Sequence, residues 1–197
     1  QADSTSTKVS TRPLMVVIAG ILAVSTASIF IRQAQQEAAS LVVAAYRLGL
    51  ASLILLPFAY QKRKEISEFH KRQWLLALGA GGILALHFAA WITSLEYTSI
   101  ASSVVLVTTT PLWVAIFSPI FLKERLNRAA VFGLGIAMIG GTVVGLSEAC
   151  SLSQAGLECN SLQGFWSGRA AFGNFLALVG AWMAAGYMMI GRGLRPG

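Results

Sequence analysis

One arginine stands where the sequence gives a charge least room. Arg47 falls inside a long apolar stretch, eight residues or so from its start and about 12 Å deep by the rise of a helix. A charge at that depth in a bilayer costs roughly 2.5–3.5 kcal/mol on insertion scales, so it must face a cavity or a partner. Either the guanidinium snorkels outward or caps carbonyls of neighbouring helices, or it holds an anionic group of a solute, such as a carboxylate or phosphate. His87 lies near the middle of another apolar stretch, with Leu84 and Trp91 at helical spacing. It reads as a hydrogen-bonded packing residue or as part of a cavity wall. No second His, Asp or Cys lies at ligand spacing, so no metal site is expected.

Tryptophan and tyrosine normally mark the two interfaces of a membrane protein, a role that suits Tyr60, Trp74, Tyr97 and Trp166. Trp113 and Trp182 instead fall in mid-stretch. Together with His87 and Trp91 they would suit the wall of a pathway for an aromatic or amphipathic solute, the plainer reading being packing or lipid contact. Pro111 interrupts its stretch after Thr108, Thr109 and Thr110, and its ring deprives the Val107 carbonyl of a partner. A kink follows on either reading, as a flexing point or as a static bend. Cys150 and Cys159 share one polar segment, where they form a disulfide or remain two free thiols.

These residues must be positioned by apolar helices. A spanning helix needs roughly 20 mostly apolar residues, and six stretches qualify, at about 13–32, 39–60, 73–95, 99–122, 129–147 and 172–191. Hydrophobic residues make up 55% of the chain and charged ones 12%, with a mean hydropathy of +0.67. A soluble domain would have a charged fraction nearer about a quarter. The fold class expected is all-α, a polytopic membrane helix bundle. Gly133, Ala137, Gly141 and Gly145 form a ridge of small residues along the fifth stretch, as do Gly173, Ala177, Ala181 and Ala185 along the sixth, and both ridges suit close helix packing.

The basic residues set the orientation, because short cytoplasmic loops carry the Lys and Arg excess. With the N-terminus inside, Lys8, Arg12, Lys62, Arg63, Lys64, Lys71, Arg72, Lys123, Arg125, Arg128, Arg192 and Arg195 are all cytoplasmic, while Arg32 and Arg169 lie outside. The net charge of +7 is therefore a topology signal in a cytoplasmic (plasma) membrane and not a nucleic-acid footprint. The apolar run after Lys8 and Arg12 is long for a signal peptide, and its small residues lie in mid-stretch, before Ile29, Phe30 and Ile31, so a spanning helix is expected. The organisation reads as a polar N-terminal tail over 1–12, five helices over 13–147, an outer loop over 148–171, and a last helix over 172–197.

Several chemistries lack their residues. No glycine-rich nucleotide loop with Lys and Ser or Thr occurs, and Glu37, Glu96, Glu124 and Glu148 all sit at helix ends, so no carboxylate is available at mid-depth for proton coupling. An intramembrane enzyme would need a catalytic set at depth, which the sequence lacks. No cofactor is implied. A membrane scaffold remains the other alternative to transport.

Tyr46-Arg47-Leu48, Glu96-Tyr97-Thr98-Ser99-Ile100-Ala101, Thr110-Pro111-Leu112-Trp113-Val114-Ala115 and Phe121-Leu122-Lys123-Glu124-Arg125-Leu126, in that order and spacing, resemble the EamA-type repeat of the drug/metabolite transporter superfamily. Gly173-Asn174-Phe175-Leu176-Ala177-Leu178, followed by Gly180-Ala181-Trp182, is similar to the start of that family's second repeat. Lys123 departs from the pattern, the family more often having Gly there. The resemblance implies a ten-helix secondary transporter of two inverted five-helix repeats, moving a small metabolite or drug-like solute outward by alternating access. An offset of 160 residues that aligns Gly20 with Gly180 and Arg32 with Arg192 agrees with such an inverted repeat. On this reading the chain is the first repeat plus the first helix of the second. Its partners would be the lipid bilayer, a small-molecule solute and the rest of the second repeat.

Overall fold

A computed structural model describes residues 11–121, 123, 127–149, 151–153, 156–158 and 168–194. Cys150 and Cys159, as a disulfide or as two thiols, and Trp166, with its interfacial role, lie outside the described residues. The chain forms α1 (Thr11–Ala34), α2 (Ser40–Gln61), α3 (Arg63–Ser67), α4 (Lys71–Tyr97), α5 (Ile100–Val107), α6 (Thr110–Phe121), α7 (Arg128–Ala149), β1 (Ser151–Ser153), β2 (Gly156–Glu158) and α8 (Gly168–Gly193). The architecture is a polytopic all-helical bundle.

Four long helices and the α5–α6 pair, Ile100–Phe121, are long and apolar enough to cross a membrane, and α7 adds a shorter apolar stretch over Arg128–Val144. Large apolar side chains of α1 and α2, among them Met15, Val16, Leu22, Phe30, Leu53, Ile54 and Phe58, point away from the protein. That is what a lipid-facing surface requires, since lipid tails solvate leucine as well as a protein core does.

Local chemistry sets the helix starts. His70 and Gln73 cap α4 reciprocally, the His70 amide donating to Gln73 Oε1 at 2.8 Å. Ser99 Oγ accepts the Ser102 amide at 3.0 Å and starts α5, and Asn127 Oδ1 accepts the Ala129 amide at 3.0 Å and starts α7.

The fourth apolar stretch, expected as one helix over 99–122, is two. α5 ends at Val107 and α6 begins at Thr110. Pro111 thus sits in the first turn of α6, where the amide it lacks would have had little use. The carbonyl left over at Val107 accepts the Thr110 hydroxyl at 2.7 Å, while Thr108 and Thr109 return their hydroxyls to Val104 and Leu106 at 2.8 and 2.6 Å. Three threonines therefore satisfy the backbone that the break exposes. Between α7 and α8 the chain also forms a short antiparallel ribbon, with Ser151 opposite Glu158 and Ser153 opposite Gly156.

α8 is the axis of the assembly. It packs along α4 and, on other faces, against α5 and α6. Its buried residues are Gly173, Asn174, Ala177, Gly180, Ala181, Ala184 and Ala185, nearly all small enough to let the backbones approach. The approach is closest at Gly173: a Cβ there would fall 2.8 Å from the Thr98 amide nitrogen. The ridge expected on α7 behaves differently. A Cβ on Gly133 would meet nothing within 4 Å, and one on Gly141 only Val105 at an ordinary 3.7 Å. Gly133 and Ala137 border a cavity instead of a close helix contact.

Candidate solute pathway

Two groups of rings flank α8. In the first, Arg47 reaches from α2 across the face of α4, its Cζ 4.9 Å from the centroid of Phe88 and 5.6 Å from that of Trp91. Those distances are within the range of cation–π attraction. His87 lies nearly parallel to Trp91, with centroids 6.1 Å apart and planes 15° apart, and meets Phe88 edge-on at 4.8 Å. Its Nδ1 donates to the Gly180 carbonyl of α8 at 2.8 Å, which leaves Nε2 as the acceptor of the neutral ring. Trp91 is buried, as are Ile92 and Leu95 beside it, and its Nε1 has no hydrogen-bond partner.

In the second group, Trp113 of α6 meets Trp182 of α8 edge to face, with centroids 5.3 Å apart. Trp113 Nε1 donates to Thr109 Oγ1 at 3.1 Å, so the helix break also orients this ring. Trp182 Nε1 is buried without a partner. The Thr110 hydroxyl approaches the Ala181 carbonyl at 3.4 Å, close to the limit for a hydrogen bond.

The structure therefore brings Arg47, His87 and Trp91 together, and separately Trp113 and Trp182, with α8 between. None of the five lines the cavity of about 550 Å³ that opens among α6, α7 and α8. Pro111 does, with Val114, Ser118, Asn127, Met188 and Arg192. That volume lies within the range typical of small-molecule sites.

Sequence reasoning missed the polar closure at the end of the bundle that carries Arg32. Thr98 Oγ1 donates to Asn174 Oδ1 at 2.8 Å, and both residues are buried. Gln35 Nε2 donates to Ser40 Oγ at 2.8 Å and to the Ile92 carbonyl at 2.7 Å, and Ser40 Oγ donates to Glu96 Oε2 at 2.8 Å. Ser94 and Ser103 pair at 2.6 Å, both fully buried. Arg169 lies over the Tyr97 ring at 5.2 Å. The signal was the clustering of small polar residues at helix ends, such as Gln35, Ser40, Ser94, Thr98 and Ser103.

The model of the EamA-like transporter family matches residues 11–146. The chain belongs to the EamA-like transporter family. It is thus a multi-pass membrane protein of the drug/metabolite transporter type, and members of its family are transporters rather than enzymes. No curated protein and no solved structure matches this EamA-like chain. Among the described residues no group of His, Cys, Asp or Glu could hold a metal ion.

Proposed function

We propose that this EamA-like protein is a secondary transporter that exports a small metabolite or drug-like solute by alternating access. On this reading it lies in the cytoplasmic membrane with its N-terminus inside, and its five-helix repeat works against an inverted second repeat that α8 begins. The observation that carries the reading is the gathering of a cation, an imidazole and several large aromatic rings inside the spans of a chain of this family, around the helix that would join the two repeats. Arg47, His87 and Trp91 would form one wall of the pathway, Trp113 and Trp182 another, and the break before Pro111 would be the point at which α6 moves relative to α5. Secondary transporters commonly bind solute near mid-membrane at the repeat interface and beside discontinuous helices, and Trp113 lies on such a helix, just after its break. Flux of a metabolite panel into and out of liposomes holding the full-length protein tests the reading. Saturable, counter-flow-competent movement of at least one solute is the expected result; no movement of any solute by folded protein would overturn it.

A further inference from the structure

We infer that Arg47 is an anion-recognition subsite that selects solutes carrying one carboxylate on a flat, aromatic body. The inference rests on the transport reading and narrows it to a substrate class. It begins with what the guanidinium lacks: among the described residues neither a carboxylate nor a carbonyl is hydrogen-bonded to Arg47, which instead lies over the Phe88 and Trp91 ring faces. The carbonyl-capping role that the sequence left open is therefore not taken up by α1–α8. A guanidinium has five N–H donors in a flat fork matched to a carboxylate, and at this depth each unmet donor is costly.

The surroundings define the rest of the ligand. Phe88 and His87, both half-buried, lie beside the fork over the buried Trp91, with the imidazole and indole nearly parallel. Such a surface adds favourable contact for a planar apolar body and none for a compact hydrophilic ion. Charge count also discriminates. Arg47 is the one Lys or Arg in the central part of the described spans, Arg32 and Arg192 lying in the last turns of their helices. A monoanion would be neutralised there, whereas a phosphate dianion would keep a second, uncompensated charge in the apolar layer.

Calorimetric titration of the purified full-length protein with phenylacetate, phenylacetamide, acetate and inorganic phosphate tests this. Phenylacetate should bind at least tenfold more tightly than each of the other three. Arg47→Gln should weaken phenylacetate at least tenfold and phenylacetamide less than twofold, and Arg47→Lys, which keeps the charge but not the fork, should fall between. Arg63→Gln removes an exposed guanidinium lying 4.4 Å from the Tyr60 ring, outside the cluster, and should leave all four affinities unchanged. Equal binding of the acid and its amide to the unaltered protein would overturn the inference whatever the variants do. So would an Arg47→Gln protein of unchanged melting temperature that still prefers the acid. Selective acid binding without flux of any solute would instead sink the transport reading and leave the subsite standing, while flux without acid selectivity would do the reverse.

Discussion

Gly173 and Gly180 lie two helical turns apart on one face of α8, and the structure separates their sensitivity to a methyl group. At Gly173 an added Cβ would stand 2.8 Å from the Thr98 nitrogen and 2.9 Å from the Cβ atoms of Thr98 and Tyr97. Carbon contacts are optimal near about 3.5–4.0 Å, so α8 and the end of α4 would have to part by most of an ångström. The atoms in the way are backbone and Cβ, which no rotamer change can move. At Gly180 the nearest atoms would be Trp91 Cβ at 3.4 Å, Trp91 N at 3.5 Å and the His87 carbonyl at 3.6 Å, an ordinary contact. Overpacking of a close-packed site costs about 1–3 kcal/mol. The gain in helix propensity from Gly to Ala is common to both positions and cancels in their comparison. Gly173→Ala should therefore be less stable than Gly180→Ala by about 1–3 kcal/mol, read from thermal unfolding of the two variants in the same detergent. Equal stabilities, or the reverse order, would refute the claim that α4 and α8 touch backbone to backbone at Thr98.

The remaining predictions address the polar contacts, the helix break, the turn and the orientation. A double-mutant cycle with Thr98→Val and Asn174→Leu should return a coupling of about 0.6–1.7 kcal/mol, the range measured for hydrogen bonds between membrane helices; a coupling near zero would mean the pair is not bonded. Pro111→Ala should change stability by less than about 1 kcal/mol, because a first-turn proline takes no bond from its helix, whereas one in a helix interior costs about 3 kcal/mol. Lys123 has a φ of 55°, in the left-handed region, so Lys123→Gly should stabilise the protein by about 0.5–1 kcal/mol in chemical unfolding, the strain relieved exceeding the entropy that glycine adds to the unfolded chain. In a background with Cys150 and Cys159 replaced by serine, an impermeant thiol reagent should reach Lys64→Cys from the cytoplasmic side alone and Glu37→Cys from the other side alone; labelling with the sides exchanged would invert the proposed topology.

The apolar stretches, their helical type and their approximate ends were legible because apolar length is an additive property of sequence, whereas length revealed neither the short α3 nor the division of the fourth stretch into α5 and α6. The departure at Lys123 was visible in sequence, but its left-handed backbone, a conformation that favours glycine, was not. The break at Thr108 and Thr109 was half visible. Proline marks a disturbance, but whether it sits inside a bent helix or opens a new one depends on whether nearby hydroxyls can take over the freed carbonyls, which is a matter of three-dimensional geometry. Spacing also correctly placed His87 and Trp91 on one face of α4. It could not give Phe88 as the other ring under Arg47, because that contact joins α2 to α4 and depends on how the helices cross. The small-residue ridges of α7 and α8 look alike in sequence, yet the latter meets α4 and the former borders a cavity. A smooth helix face permits close approach without stating what approaches.

The two sides of α8 differ in how firmly they are held, and this bears on where the bundle can yield. Toward α4 the contact combines the backbone approach at Gly173 with two hydrogen bonds of 2.8 Å, Thr98 to Asn174 and His87 to the Gly180 carbonyl. Toward α6 it has the Trp113–Trp182 edge contact and the 3.4 Å approach of Thr110 to Ala181, with a cavity of about 550 Å³ beyond. Parting α4 from α8 would leave buried donors and acceptors open in an apolar medium, a cost of several kcal/mol per group before relaxation. Moving α6 would disturb the long Thr110–Ala181 hydrogen bond and slide the Trp113 ring past Trp182. Thr108 and Thr109 return their hydroxyls to Val104 and Leu106 on the α5 side and need not give them up, while the Thr110–Val107 bond spans the break. On the proposed transport reading, the easier displacement would be a swing of α6 about Thr108 and Thr109 against an α4–α8 pair that stays together, and it would alter the surroundings of Trp113 and Trp182 while leaving Arg47, His87 and Trp91 in place.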